Sequence, residues 1–211
     1  MSEPPLSGRR RQARRNDVAI LESAREVFIA DPDAPVSAVA EHAGVGISSL
    51  YRRFASKEEL LRKLCGDGLE LYLEIARSAV EDEGGDPWEV FATFMKRIVE
   101  ADTHTLTINL AGSFTPTARE MRNAALAEEL NDRLVARAQS AGVLRQDVDP
   151  HDLSHVFEQI ARVHGPTPER TAELRGRYLA LHLDGLRAPA RTPLPGPPPT
   201  SKEQRARWQP R

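Results

Sequence analysis

A single cysteine, Cys65, stands in 211 residues. No internal disulfide can form, and a CxxC redox or zinc arrangement is excluded. The thiol lies midway along an apolar helical stretch, which reads as a buried side chain; a redox sensor needs exposure and a cationic neighbour. Long apolar runs are missing too. None approaches the roughly 20 residues of a membrane span, and Met1 to Arg15 is basic with no apolar stretch behind it, unlike a secretory leader. The cytoplasm is the expected compartment, with no membrane partner. Strand-like alternation is absent, as are a Gly-rich phosphate loop, a nucleophile elbow and a paired-ligand metal motif. Acidic residues fall on solvent-facing helix positions, where no general acid or base stands out. No enzyme, cofactor or metal is therefore expected.

An excess of one charge is lacking as well: the net charge of -2 argues against a coat on nucleic acid. Its distribution is uneven. Arg9, Arg10, Arg11, Arg14 and Arg15 crowd the start against only Glu3, which fits an arm lying along phosphates or a solubilising terminus.

What is present is helical periodicity. Ile20, Leu21, Ala24, Val27 and Phe28 recur at helical spacing from about Asn16 to Ala30. Asp31, Pro32, Asp33, Ala34 and Pro35 break the pattern, and Val36, Val39, Ala40 and Ala43 carry a much shorter helix closed by Gly44. A third short helix, about Ile47 to Phe54, offers Leu50 and Phe54 to a core. Ser56-Lys57-Glu58-Glu59 then reads as a capping box opening a long helix to about Glu81, in which Gly66 and Gly68 allow a bend or close packing. Pro87 starts the next helix, and further helical patterns run about 105–113, 117–140, 150–163 and 168–186. The tail from Ala188, with Pro193, Pro195, Pro197, Pro198 and Pro199, is too poor in apolar residues to order; Trp208 within it is a stray aromatic or a docking residue. The fold class is all-α. The expected organisation is a disordered basic arm over 1–15, a helix-turn-helix domain over 16–62, a helical regulatory and dimerisation domain over 63–187, and a disordered tail over 188–211.

Helix, short break, short helix, glycine turn, short helix is a helix-turn-helix plan. Ala40 is small where the two short helices approach, Gly44 can take the positive φ of a tight exit, and Val45 is expected to plug the turn into the core. In such a motif the second short helix lies in the major groove. The run Val39-Ala40-Glu41-His42-Ala43-Gly44-Val45-Gly46-Ile47-Ser48-Ser49-Leu50-Tyr51-Arg52-Arg53-Phe54-Ala55-Ser56-Lys57-Glu58-Glu59-Leu60 resembles the signature of the TetR family of DNA-binding regulators. The resemblance covers about the first third of the chain, and Arg177 to Arg187 is weakly similar to that family's last helix.

The resemblance implies that Tyr51 and Lys57 hold phosphates with Ser49 beside them. Lys57 at a helix N-terminus would add its ammonium to free N–H groups. Gly46, Ile47, Ser48, Arg53 and Ser37 occupy positions that face bases in relatives; Arg53 can fork onto guanine and Ile47 can touch a thymine methyl. Read from the residues alone, Arg52 and Arg53 can equally form a solvated face and Tyr51 can pack with only its hydroxyl exposed. One departure is that Pro35 and Val36 stand where relatives commonly place a hydroxyl residue.

The resemblance further implies a homodimer on a palindromic double-stranded DNA operator, with a small-molecule effector that releases it. Repression is the family's usual mode. Val156, Phe157, Ile160, Tyr178, Leu179, Leu181 and Leu183 are the candidate dimer residues, or simply the core of a monomer. Trp88, Phe91, Phe94, Met95, His104, Asn109, Phe114 and Met121 are the candidate pocket lining, or core. His151 and His155, four apart, share a helix face as two metal ligands or a polar patch. The alternative function is a small-molecule-binding helical protein whose DNA head has lost its role; an affinity for duplex that falls steeply with salt separates the two.

Overall fold

A computed structural model describes residues 8–110, 112–190 and 192–206, with side chains from residue 16 onward except those of 108, 109, 204 and 205. The described residues form ten helices and no strand: α1 (Gly8–Ala30), α2 (Val36–His42), α3 (Ile47–Arg53), α4 (Lys57–Glu81), α5 (Pro87–Glu100), α6 (Thr103–Asn109), α7 (Ala118–Ser140), α8 (Pro150–Ala161), α9 (Pro168–Leu186) and α10 (Ser201–Ala206). The chain is all-α. It divides into two compact units, Met1–Cys65 and Gly66–Arg211.

In the first unit α1 packs on α2 and α2 on α3. Ile20, Ala24 and Phe28 from α1, Val39 from α2 and Leu50 from α3 are fully enclosed. Burying Leu50 alone contributes about 1.5–3 kcal/mol relative to exposure. The arginine-rich start differs from the expected arm, because α1 continues back to Gly8. Apolar periodicity could not reveal those two turns: the segment has none, and arginine and glutamine are good helix formers that extend a helix already nucleated.

The exit from α2 is built on hydrogen bonds. Gly44, at φ 63°, donates to Glu41 O at 3.1 Å, and Val45 N–H reaches Ala40 O at 3.0 Å, the paired closure of a Schellman turn. Val45 itself is only half-buried; the backbone bonds, rather than a plugging side chain, hold this turn. At the start of α4, Ser56 Oγ accepts from Glu59 N–H at 3.1 Å, but the Glu59 carboxylate takes the N–H of Ala55 at 2.7 Å, one residue before the expected partner. Helix α4 runs without a break through Gly66 and Gly68, where an added Cβ would meet its nearest neighbour at 3.6 Å.

In the second unit α5 is central, packing on α6, α7, α8 and α9. Asp86 caps it by accepting from Trp88 and Glu89 N–H, with Pro87 in the first turn. Arg137 of α7 donates to the carbonyls of Asp82, Glu83 and Gly85, fixing the loop before α5. Thr117 and Glu120 form a capping box on α7, and Asp149 and Asp152 another on α8.

The tail also departs from expectation. Ala188 N–H bonds to Val143 O at 2.9 Å, Arg145 donates to Thr192 O at 2.7 Å, and Leu194 N–H donates to Asp147 at 2.8 Å. Proline explains why so polar a segment can be held by few bonds: its fixed φ leaves less backbone entropy to lose. Trp208 lies outside the described residues.

Candidate nucleic-acid interface

Helix α3 has two turns and one buried side, carried by Leu50. Gly46, Ile47, Ser48, Tyr51, Arg52 and Arg53 are exposed, as is Ser37 on α2, while Ser49 is half-buried. Ile47 at 40% and Tyr51 at 49% exposure are large apolar or aromatic side chains held outward on a rigid helix. The tyrosine ring therefore does not pack into the core. A convex, two-turn rod showing hydroxyls, guanidinium groups and one aliphatic group has the size and donor set that a major groove accepts.

Two of the expected contacts are engaged within the protein. Lys57 Nζ donates to Pro32 O at 3.1 Å and Ala34 O at 2.8 Å, and sits 5.1 Å from the Phe28 ring centroid. Its ammonium thus satisfies carbonyls of the α1–α2 loop instead of pointing outward. Arg53 forms a two-bond ion pair with Asp17 of α1, Nε to Oδ1 and Nη2 to Oδ2. Sequence reasoning found the arginine and missed the aspartate, since nothing local links positions 36 residues apart.

The second unit contains an aromatic cluster in which Tyr72 meets Phe94, His104 and Phe157, and His104 lies 4.8 Å from Phe157 between centroids. Tyr72 donates its hydroxyl to Asn131 Oδ1 at 2.7 Å, and burial pushes that hydroxyl's pKa up. Burial likewise pushes His104 down to about 4, partly offset by the Asp102 carboxylate. Of the candidate pocket residues, Trp88, Phe91, Phe94, Met95 and Phe114 are buried, and Met121 is 59% exposed; the side chain of Asn109 lies outside the described residues. Among the candidates with described side chains, only His104 lines the slit beside this cluster, of about 10 Å³, with Asp102, Phe157 and Arg175 among its walls. That volume admits no more than a water. A groove of about 430 Å³ lies elsewhere, between the α7–α8 loop and the tail.

Arg175, unforeseen, organises the wall of that slit. It is 8% exposed and reaches Asp102 Oδ1 at 2.9 Å, Thr105 Oγ1 at 3.2 Å, Ala161 O at 2.8 Å and Val163 O at 3.1 Å. Its register with Leu179, Leu183 and Leu186 on the buried side of α9 was the available signal. Among the candidate dimer residues, Val156, Phe157, Ile160, Leu179 and Leu183 are buried within the chain, whereas Tyr178 and Leu181 stand exposed at 44% and 59%. His151 bonds Asp149 Oδ1 at 2.5 Å and Ser201 Oγ at 2.9 Å, and His155 lies 3.7 Å from Glu158. No group that could hold a metal ion occurs among the described residues, and no described helix is long and apolar enough to cross a membrane.

Comparison with known proteins agrees with this architecture. Residues 20–64 match the family model "Bacterial regulatory proteins, tetR family", and residues 86–188 match "Transcriptional regulator SbtR-like, C-terminal domain". No curated protein sequence matches. A TetR transcription regulatory protein from Mycobacterium vanbaalenii is 27% identical, with 85% of this chain and 99% of that one covered at a TM-score of 0.55. The TetR regulator SCO0520 from Streptomyces coelicolor is 24% identical over 83% and 99%, TM-score 0.56. LfrR from Mycobacterium smegmatis, solved in complex with proflavine, is 21% identical over 82% and 97%, TM-score 0.52. With its helix-turn-helix unit and its helical unit each matched, the chain belongs to the TetR family of transcriptional regulators.

Proposed function

We propose that the chain is a repressor that binds a palindromic DNA operator as a homodimer and releases it when a small apolar molecule enters the second unit. The observation that carries the reading is the outward face of α3: Ile47, Ser48, Tyr51, Arg52 and Arg53 exposed on a helix whose opposite side is anchored by buried Leu50. Gly46, Ser37 and Ser49 complete the contact surface. Tyr51 and Ser49 hold phosphate, and Lys57 joins them once its ammonium exchanges the loop carbonyls for a phosphate oxygen. One such helix makes few contacts, so a second copy is needed to reach the next major groove. Leu174, Tyr178 and Leu181 recur at helical spacing on α9, with Tyr178 and Leu181 exposed; they supply a seam for that copy. The effector enters beside the aromatic cluster, which must part to admit it, because the slit there holds only about 10 Å³. Ligand binding of that kind shifts the regulator only through different affinity for its two states.

The test is selection of duplexes from a randomised pool by the full chain, with sedimentation of the complex. The expected result is a palindrome with half-site centres about 34–36 Å apart, bound by two chains, with affinity falling steeply as salt rises. Recovery of no sequence preference refutes the operator reading. Unchanged binding after joint replacement of Tyr51 and Lys57 by alanine refutes the phosphate assignments.

A further inference from the structure

The geometry points to Asp17 as a specificity-determining residue: it occupies one edge of the Arg53 guanidinium so that only the other edge can engage DNA. The inference rests on the DNA-reading role proposed above for α3. A guanidinium has two forks of parallel N–H donors, one formed by Nε and Nη2 along its side and one by Nη1 and Nη2 at its end. Asp17 takes the side fork with both carboxylate oxygens, Oδ1 on Nε and Oδ2 on Nη2. Nη1 and the outer hydrogen of Nη2 remain, and these two form the end-on pair that matches O6 and N7 of guanine.

The carboxylate has a second effect, through charge. A free arginine on the recognition helix is attracted to phosphates on any duplex, which strengthens binding everywhere and discriminates nothing. Pairing with Asp17 cancels that attraction at arbitrary sequence. It leaves intact the hydrogen bonds that a guanine edge can supply. The side chains are 46% and 27% exposed, so the pair is open to solvent, at the last residue of α3. Anchorage is what distinguishes it from a mobile surface contact: Asp17 lies on α1, three residues before fully buried Ile20, and Arg53 closes α3, three residues after fully buried Leu50. Both ends of the pair therefore come from helices fixed in the same core.

Full-length wild type, D17A, D17N and R53A are compared in two measurements: affinity for a fixed arbitrary 30-base-pair duplex across a salt series, and selection from a randomised duplex pool. D17A is expected to bind the arbitrary duplex about two- to fivefold more tightly, the scale of an exposed ion pair, with a salt slope steeper by about one phosphate contact. Its selected sites lose the guanine preference at the position that R53A also flattens. D17N keeps the side-chain shape and one acceptor, and falls between wild type and D17A; it decides the matter if D17A fails to fold. The proposal is overturned if the aspartate variants select the wild-type consensus at wild-type guanine frequency with an unchanged salt slope, or if R53A leaves the consensus intact. A wild-type chain that selects no sequence overturns this inference together with the operator reading, whereas aspartate variants indistinguishable from a selective wild type overturn this inference alone.

Discussion

Replacing Arg175 by alanine is expected to destabilise the second unit by about 4–5 kcal/mol. The guanidinium serves four acceptors: the Asp102 carboxylate, the Thr105 hydroxyl, and the carbonyls of Ala161 and Val163 where α8 ends. Removing one partner of a buried ion pair costs about 3–5 kcal/mol in general. Asp102 is 27% exposed and keeps a bond from Thr105 Oγ1, so water recovers part of that loss and about 2–3 kcal/mol is the appropriate share. The two abandoned carbonyls at the α8 terminus add about 1 kcal/mol each. For a chain of this size each kcal/mol lowers the melting temperature by about 2–4 °C, so R175A should melt roughly 10 °C below wild type by calorimetry or circular dichroism. R175K should fall between, since one ammonium cannot span four acceptors. The double variant R175A/D102N should recover about 1 kcal/mol or more of the loss, because it removes the stranded carboxylate. An R175A chain that melts within 2 °C of wild type, or strictly additive effects of the two substitutions, would refute the claim that this network holds α6, α8 and α9 together.

Acid should weaken the fold through His104. Folded, the imidazole stays neutral down to about pH 4; unfolded, it takes a proton near pH 6.5. Between those values the unfolded chain binds the extra proton, so the contribution is complete above pH 6.5 and is lost as pH falls toward 4, by about 3 kcal/mol in all. Urea midpoints at pH 7, 5.5 and 4.5 should drop less steeply in H104F than in wild type, and parallel slopes would contradict the assignment. Gly44→Ala should cost about 1 kcal/mol from the positive φ alone, since nothing lies within 4 Å of the added carbon. The readout is hydrogen exchange in α2 and α3, expected about fivefold faster in Gly44→Ala and less perturbed in Gly44→Asn; equal rates for Gly44→Ala and wild type would show that the turn carries no strain.

Helices α2 to α5 and α7 to α9 could be read closely from the chain because their punctuation is chemical, whereas α6, expected over about 105–113, spans Thr103–Asn109. Pro35, Gly44, Pro87 and Gly142 interrupt strong apolar periodicity, and the structure adds Asp86 and Thr117 as caps of α5 and α7. The tail departs from expectation because composition describes the cost of ordering a segment, not the tertiary bonds that offset it, such as those of Arg145 and Asp147 to Thr192 and Leu194, whereas the start of α1 carries no apolar periodicity and extends a helix already nucleated. At the interface, spacing marked only Leu50 and Phe54 of the α3 segment as inward, the outward residues were legible through the resemblance to the TetR signature, and the partners of Arg53 and Lys57 appeared in neither. Long charged side chains choose acceptors in three dimensions, and Asp17 and the carbonyls of Pro32 and Ala34 are brought within reach only by the packing of α1 on α2 and α2 on α3. The aromatic stripe of α5 shows a different limit. Helical spacing marks Trp88, Phe91, Phe94 and Met95 as inward-facing, and a lined cavity and a filled core share that pattern.

Trp88 is 6% exposed, beside Phe91, with the Arg187 guanidinium 4.8 Å from its ring centroid. A positive charge parked over an indole perturbs its excited state, so the chain carries an optical probe at the point where α9 gives way to the tail. With the second tryptophan, Trp208, changed to phenylalanine, the emission colour of the remaining one becomes a label-free gauge of whether that arginine is seated.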